Sequence, residues 1–438
     1  MDRIRVGVVS LGCDKNRVDT EKMLAKIEEK YCLTADIGKA DVAVINTCAF
    51  LRAAREEAIE EILSAAKLKK GGRLKKIIVT GCLPQKYSSE LFGELKEADA
   101  FLGVSDYDRI NDVIDGLFKD GGRINAVGTA CGEVLTHRKL TTNGYAYLKI
   151  ADGCSNHCTY CLIPKIRGPY RSVPTETLIE EVKEMGDVGE LILVAQDTAC
   201  YGRDLSPQTS LAELIRKLSA LKEVRGIRLL YCYPENITEE LINEFRCNPK
   251  LIKYIDMPLQ HADDGILKLM NRKGTGEEYL RLIERLKREI TGIAVRSTFI
   301  AGFPTETEES FNVLLEFIKK AKLFNAGFFK YSREEETAAY DLPEQVKESV
   351  KTKRLKKLYA AQRKVVSGIG KTLVGRIFKV AAEGFDDDRI CYFGRAYFNA
   401  PDVDGKVYFF SDKEVENGKF YDVKIIQAVG YDLIGERI

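Results

Sequence analysis

No run of this sequence approaches the roughly 18 consecutive apolar residues that a membrane-spanning helix needs, so no membrane association is expected. No secretion signal is expected either: "MDRIRVGVVS" alternates charge with valine like a strand and has no apolar core or cleavage site. The cytoplasm is the expected compartment. Net charge is close to absent, at +2 over 438 residues, so bulk electrostatics argues neither for nor against a nucleic-acid partner. Internal repeats and low-complexity tracts are lacking, and histidines number only 3.

Cysteine is what the chain has in surplus, with 12 residues. A reducing compartment disfavours disulfides, so the surplus points to metal, cluster or redox chemistry, the alternative being small buried hydrophobes. Spacing has to decide. The length exceeds one ordinary core and implies about two to four domains.

Residues 1–120 read as repeated strand–helix units: "IRVGVVSLGC" before "VDTEKMLAKIEEKY", "ADVAVINTCAF" before "AAREEAIEEILSAAKL", and "KKIIVTGCLPQ" before another helical stretch. β-branched runs alternating with 3.6-period segments predict an open parallel sheet covered by helices. Cys13, Cys48 and Cys82 each fall just past the carboxyl end of one of these strands. In an open parallel sheet those ends share one edge, where ligands bind, so the three are expected to converge.

A glycine-rich linker over 121–142 separates this unit from a second alternation over 143–344. Its strand candidates are "YAYLKIADGC", "ELILVAQDT", "GIRLLYCYP", "YIDMPLQHA", "AVRSTFIAGFP" and "AGFFKYSREE", which predict a partial (βα)6 barrel with its active site at the strands' carboxyl ends. Residues 345–371 form a helix with nine Lys/Arg against Glu348, as consistent with a solvated connector as with a binding face. Short strands with turn signals over 372–438 predict a small all-β barrel. The chain is thus expected to be an α/β multidomain protein.

The segment "GCSNHCTYCLIPKIRGPYRS" carries the strongest chemical signal. Cys154, Cys158 and Cys161 form C-x3-C-x2-C after the first barrel strand. Three thiolates on one loop can hold three irons of a 4Fe–4S cluster and leave the fourth open to an exogenous ligand. Zinc would want a fourth ligand nearby, and His157 sits between two cysteines with poor geometry for that role. At other strand ends, Gln196 and Asp197 ("VAQDT") and Gly302 ("IAGFP") are candidates to line a cofactor pocket, and Arg296 ("VRST") to meet a carboxylate. Turn residues and an internal ion pair are the competing explanation for these four. His261 in "PLQHAD" is expected to be structural. Lys165 and Arg167 are expected near the barrel mouth.

The C-x3-C-x2-C loop opening a βα barrel resembles the radical S-adenosylmethionine superfamily. Together with "SLGCDKNRVDTE", "NTCAF", "GCLPQKY", "FIAGFPTETEE", "FKYSREEETAA" and a TRAM-like tail, it identifies the chain as similar to the methylthiotransferases over essentially its whole length. That resemblance implies two 4Fe–4S clusters. Cys154, Cys158 and Cys161 would ligate the one that cleaves S-adenosylmethionine to a 5′-deoxyadenosyl radical. Cys13, Cys48 and Cys82 would ligate an auxiliary one associated with the transferred sulfur. S-adenosylmethionine would serve as both methyl donor and radical source, with an electron donor such as flavodoxin or ferredoxin. No catalytic side chain beyond the cluster ligands is assigned.

Two substrates compete within the family: an aspartate β-carbon in a small-subunit ribosomal protein (S-twelve), and an adenosine beside the tRNA anticodon. "SLGCDKNRVDTE" is similar to the ribosomal-protein branch's "SLGCPKNxVDSE" rather than to "TxGCQMNxxDSE", and "APDVDGKVYF" and "GYDLIGER" resemble that branch's β domain. The tail from Thr372 to Ile438 holds nine basic and twelve acidic residues, a net of −3. A module gripping tRNA should be basic, whereas an acidic one complements a basic ribosomal protein. The protein substrate is expected. A catalytically silent iron–sulfur carrier or scaffold is the reading from a different class. Departures from the family pattern are Asp14 for proline, Val173 for arginine, and Thr305 and Glu336 where glycine is common, so those two turns are expected to differ locally. Cys32, Cys131, Cys200, Cys232, Cys247 and Cys391 match no motif and are expected to be structural or incidental.

Overall fold

In the computed structural model, which describes residues 3–119, 121–129 and 136–438, the first alternation forms a six-stranded, all-parallel sheet. Cys131 lies outside the described residues. The strands are β1 (Arg5–Ser10), β2 (Cys32–Thr34), β3 (Val42–Thr47), β4 (Lys76–Gly81), β5 (Ala100–Leu102) and β6 (Ile124–Ala126). Four helices cover them: α1 (Asp14–Glu28), α2 (Arg52–Gly71), α3 (Cys82–Glu94) and α4 (Ile110–Lys119). Every residue of β3 is buried, as expected of a strand covered on both faces. The order β2-β1-β3-β4-β5-β6 puts the reversal of strand order between β1 and β3, and ligands of such sheets sit in the crevice at that point. β6 lies within the stretch read from sequence as linker.

The second alternation forms another all-parallel sheet with strands in sequential order: β7 (Tyr145–Lys149), β10 (Glu190–Val194), β11 (Ile227–Leu229), β12 (Leu251–Asp256), β13 (Ala294–Ala301) and β14 (Asn325–Lys330). β7 and β14 stand at opposite edges of this sheet, so the barrel is open. Between β7 and β10, a short antiparallel pair, β8 (Ala151–Asp152) with β9 (Arg171–Ser172), closes the base of the cysteine loop. The helices are α5 (Ile163–Arg167), α6 (Thr175–Met185), α7 (Leu211–Ser219), α8 (Glu239–Cys247), α9 (Asp264–Leu269), α10 (Gly276–Glu289), α11 (Glu308–Ala321) and α12 (Glu348–Leu373). Strand residues divide by parity. Leu148, Leu191, Leu193 and Ile255 pack on helical Leu178, Leu214 and Ile283. Tyr147, Ile192, Val194 and Tyr254 face the barrel interior instead.

That interior is filled from outside the barrel. Val18 of α1 and Ala396, Phe398 and Ala400 of the C-terminal domain belong to the same buried cluster. The C-terminal domain is a closed five-stranded barrel, β15 (Ile377–Asp386), β16 (Cys391–Arg395), β17 (Val407–Phe410), β18 (Phe420–Val429) and β19 (Asp432–Arg437). It docks through polar contacts as well. Arg395 pairs with Glu190 at 3.1 Å, the Tyr254 hydroxyl donates to Asp404 at 2.7 Å, and Asn325 donates to the Phe398 carbonyl at 2.9 Å. The lysine-rich α12 serves as a strut: Lys351 is buried and donates to the Tyr331 carbonyl, and buried Arg354 pairs with Glu306 at 2.7 Å. Among the described residues no helix is long and apolar enough to cross a membrane.

Thr305 and Glu336 both adopt left-handed backbone, with φ of 68° and 65°. The two turns therefore hold a conformation in which glycine would be at ease. A β-branched residue there costs about 1–2 kcal/mol, against roughly 0.4–1 kcal/mol of extra unfolded-state entropy for glycine. Strain outweighs entropy at Thr305, so Thr305→Gly is expected to raise the melting temperature by about a degree, checked by calorimetry.

Candidate metal centre

All three N-terminal cysteines stand at the carboxyl edge of the first sheet. Cys13 is the N-cap of α1, Cys48 follows β3 directly, and Cys82 is the first residue of α3. Cys13 and Cys48 thus flank the β1/β3 crevice, and Cys82 adjoins it after β4. The glycines before two of them are required. At Gly12 (φ +90°) a Cβ would lie 2.8 Å from the Cβ of Cys48, and at Gly81 (φ +98°) 2.3 Å from Asn46 Oδ1. Asn16 ties these ends together, donating to the carbonyls of Leu11 and Thr47, both at 3.0 Å. The Asn46 side chain donates to the Asn16 carbonyl at 3.0 Å and to Thr20 Oγ1 at 2.9 Å. Burial pushes the Cys82 thiol up to about 12, with Arg167 pulling the other way, and raises Cys48 too.

Cys154, Cys158 and Cys161 lie on the loop between β8 and α5. The Cys161 amide donates to the Cys158 carbonyl at 3.0 Å, and the Cys154 amide to the Gly168 carbonyl at 3.1 Å. His157 has a left-handed φ of 51°, and its carbonyl accepts from Asn271 at 2.9 Å. The loop is covered by Thr159, which donates to the Leu269 carbonyl at 2.7 Å and whose carbonyl accepts from the Ala339 amide at 2.8 Å. Burial pushes Cys154 up to about 11 and Cys161 to about 12.

Both donor sets, three cysteines each, are of the kind that iron–sulfur clusters take. All six cysteines are free thiols in two groups of three. The Ile163 amide donates to Cys161 Sγ at 3.4 Å, and the amides of Phe50 and Ala49 beside Cys48 and of Asn156 beside Cys154 oppose the rise that burial causes in those thiols. N–H···S donors of this kind stabilise cluster thiolates and tune their potential. Neutral buried thiols would give up their protons on loading. Among the described residues no three His, Cys, Asp or Glu side chains are drawn together as a single-ion site.

The four candidate pocket residues divide. Gln196 donates to Asp152 at 3.1 Å beside the cysteine loop, and its Oε1 is buried with no hydrogen-bond partner among the described residues. Asp197 also borders the loop, but its carboxylate accepts from Asn156 (3.1 Å), Asn236 (2.8 Å) and the Ala199 amide (3.1 Å). Arg296 is engaged elsewhere, with Asp256 at 2.8 Å and Asp404 at 3.3 Å, joining the barrel to the C-terminal domain. At Gly302 the close neighbour is Lys351 of α12, whose Cγ would lie 2.3 Å from an added Cβ. His261 is fully buried, its Nδ1 accepting from the Asp263 amide and its Nε2 3.3 Å from Glu306, a structural role. Cys200 lines a cavity of about 220 Å³ with Ser155, Asn156, Tyr170 and Asp197. Lys165 is exposed and pairs with Glu336 at 3.4 Å. Arg167 is not at the mouth. It is buried, and its guanidinium reaches Asp152, Asn16, Asp19 and Cys82, a set of contacts that no local sequence pattern signals.

Comparison with known proteins follows the same division. The pattern described as uncharacterized protein family UPF0004 matches residues 5–103, the radical SAM superfamily residues 148–318, and the TRAM domain residues 374–438. The chain is 44% identical over 439 residues to the ribosomal protein uS12 methylthiotransferase RimO of Clostridium novyi, spanning 99% of this chain and 98% of that one. It is 45% identical over 438 residues to the RimO of Lachnoclostridium phytofermentans, spanning 99% of each. Among solved structures it resembles the radical S-adenosylmethionine methyltransferase TsrM of Kitasatospora setae, with a TM-score of 0.51 at 14% identity over 75% of each chain. It also resembles the cobalamin-dependent radical enzyme OxsB, with a TM-score of 0.53 at 13% identity over 82% of this chain and 56% of that one. At such identities the structural likeness speaks for the fold alone.

If the triads load independently, Cys13→Ala should lose about half of the iron bound after anaerobic reconstitution, and Cys158→Ala the other half. Iron and sulfide assays check this, and loss of all iron from either variant would contradict two separate sites.

Proposed function

The chain belongs to the ribosomal protein uS12 methylthiotransferases of the RimO family, within the radical SAM superfamily, and from that premise we propose how its residues divide the work. The protein is a transferase that uses S-adenosylmethionine and 4Fe–4S clusters. We assign the radical-generating cluster to Cys154, Cys158 and Cys161, and the auxiliary cluster to Cys13, Cys48 and Cys82. When bound, these groups supply a 5′-deoxyadenosyl radical and a methylated sulfur for an aspartate β-carbon of uS12.

The protein's own part is positioning and exclusion of water. The β8/β9 pair and the cover from Thr159, Asn271 and Ala339 hold the loop in one shape. Gln196, with its free buried Oε1 beside that loop, is the residue we assign to S-adenosylmethionine. Asp197 orients Asn156 and Asn236 in the wall rather than meeting the cofactor itself. Arg296 and Gly302 serve the packing of the C-terminal domain and α12.

The observation that carries this reading is the near-complete match at 44–45% identity, coupled to two separate cysteine triads in the fold. The acidic C-terminal barrel, at net −3, suits a basic ribosomal protein better than tRNA. An external electron donor of the flavodoxin or ferredoxin class and a cytoplasmic site of action complete the proposal. The test is anaerobic reconstitution, then incubation with S-adenosylmethionine and reductant. 5′-Deoxyadenosine should form, and a peptide carrying the uS12 aspartate loop should gain the mass of a methylthio group. Mass gain on a tRNA anticodon stem-loop instead would overturn the substrate, and absence of 5′-deoxyadenosine would overturn the radical chemistry.

A further inference from the structure

The contacts of Arg167 link the segments that carry the two cysteine triads. Arg167 closes α5, six residues after Cys161, and is only 2% exposed. Its Nη1 donates to both carboxylate oxygens of Asp152, at 2.9 and 3.2 Å, two residues before Cys154. Its Nη2 crosses into the N-terminal domain, donating to Asn16 Oδ1 at 2.8 Å and Asp19 Oδ2 at 3.1 Å, and lying 3.6 Å from Cys82 Sγ. Asn16 and Asp19 are on α1, the helix that Cys13 caps. Lys149 pairs with both Asp19 and Asp152, so two cations face two carboxylates in the buried cluster. The Tyr107 hydroxyl adds a bond to Asp19 at 3.2 Å.

Cement alone does not require this arrangement. A buried ion pair contributes little or nothing over a well-packed apolar seam, and Leu162 and Ile166 of the same segment already supply such a seam by packing into the core of the N-terminal domain. What a guanidinium adds is a rigid planar fork that several acceptors fix at once, and an N–H directed at sulfur. A donor to a ligating sulfur withdraws charge from it and raises the potential of the cluster it holds.

Resting on the division of clusters proposed above, we propose that Arg167 is a positioning residue for sulfur transfer: it fixes Cys82 and the Cys13 helix against the radical-cluster loop and tunes the auxiliary cluster through Cys82. Lysine keeps the charge without the fork, and glutamine keeps a donor without the charge, so neither replaces it.

The experiment compares wild type, Arg167→Lys and Arg167→Gln. Each is made also with Cys154, Cys158 and Cys161 changed to alanine, so that only the auxiliary cluster loads and its midpoint potential is read by EPR. Both variants should shift that potential to more negative values. In the full enzymes the yield of methylthiolated peptide per 5′-deoxyadenosine should fall about tenfold or more in Arg167→Gln, and by less in Arg167→Lys. Hydrogen exchange on the iron-free proteins should show faster opening of α1 and α5 in both. An unchanged potential together with an unchanged product ratio in either variant overturns the proposal, as does full recovery of both by lysine. If Arg167→Gln does not fold, Arg167→Lys alone decides by the same two readings. Should wild type itself fail to methylthiolate, the assigned function falls, while the potential and the exchange still report on Arg167.

Discussion

An open barrel cannot fill its own interior, and the arrangement of this protein follows from that constraint. Six parallel strands turn Tyr147, Ile192, Val194 and Tyr254 inward, with β7 and β14 left as separate edges rather than joined. Leaving such side chains wet would forfeit roughly 1.5–3 kcal/mol for each of the large ones. The neighbouring domains supply the missing packing: Val18 of α1 from one and Phe398 with Ala396 and Ala400 from the other. The three parts are therefore bound by a shared apolar interior, with Arg395–Glu190, Tyr254–Asp404 and Arg296–Asp404 as its polar seams.

The same packing determines where chemistry can occur. Lodging Val18 against the barrel interior brings the start of α1, capped by Cys13, toward the β8/β9 loop that bears the second triad. Arg167 and Lys149 then meet Asp19 and Asp152 across the junction. Two parallel sheets each present a carboxyl edge, and ligands belong at such edges. Here the two edges carry the two cysteine groups, and Arg167 and Lys149 join the segments that bear them.

Much of this is legible in the chain. The alternation of β-branched runs with amphipathic segments specifies both parallel sheets, and the regular spacing of Cys13, Cys48 and Cys82 after strands is enough to place them on one edge. The loop of Cys154, Cys158 and Cys161 is local, so its signal is complete in a few residues. Long-range partners are not legible. Arg296 stands out as a candidate for a carboxylate, and it does meet carboxylates, but those of Asp256 and Asp404, the latter more than a hundred positions away. Gly302 stands out as a place of close approach, yet what approaches is Lys351 of a helix some fifty residues on. The basic stretch of α12 reads as a uniform charged face, although Lys351 and Arg354 turn inward to the Tyr331 carbonyl and Glu306.

Thr305 and Glu336 mark a boundary between the two kinds of information. Both replace glycine in the family pattern, and sequence predicts altered turns; the backbone at each is nonetheless left-handed, the conformation that glycine favours. What the sequence by itself determined is whatever depends on period and short spacing: the parallel sheets, the edge on which each cysteine triad lies, and the family to which the motifs are similar. What only the tertiary structure decided is which of the candidate polar groups are already satisfied by distant partners, and that Arg167 is buried where it joins Asp152 to α1 and Cys82. The physical reason is that periodicity reports on a segment's own burial, while the partner of a charge or the filler of a cavity is chosen by docking between domains.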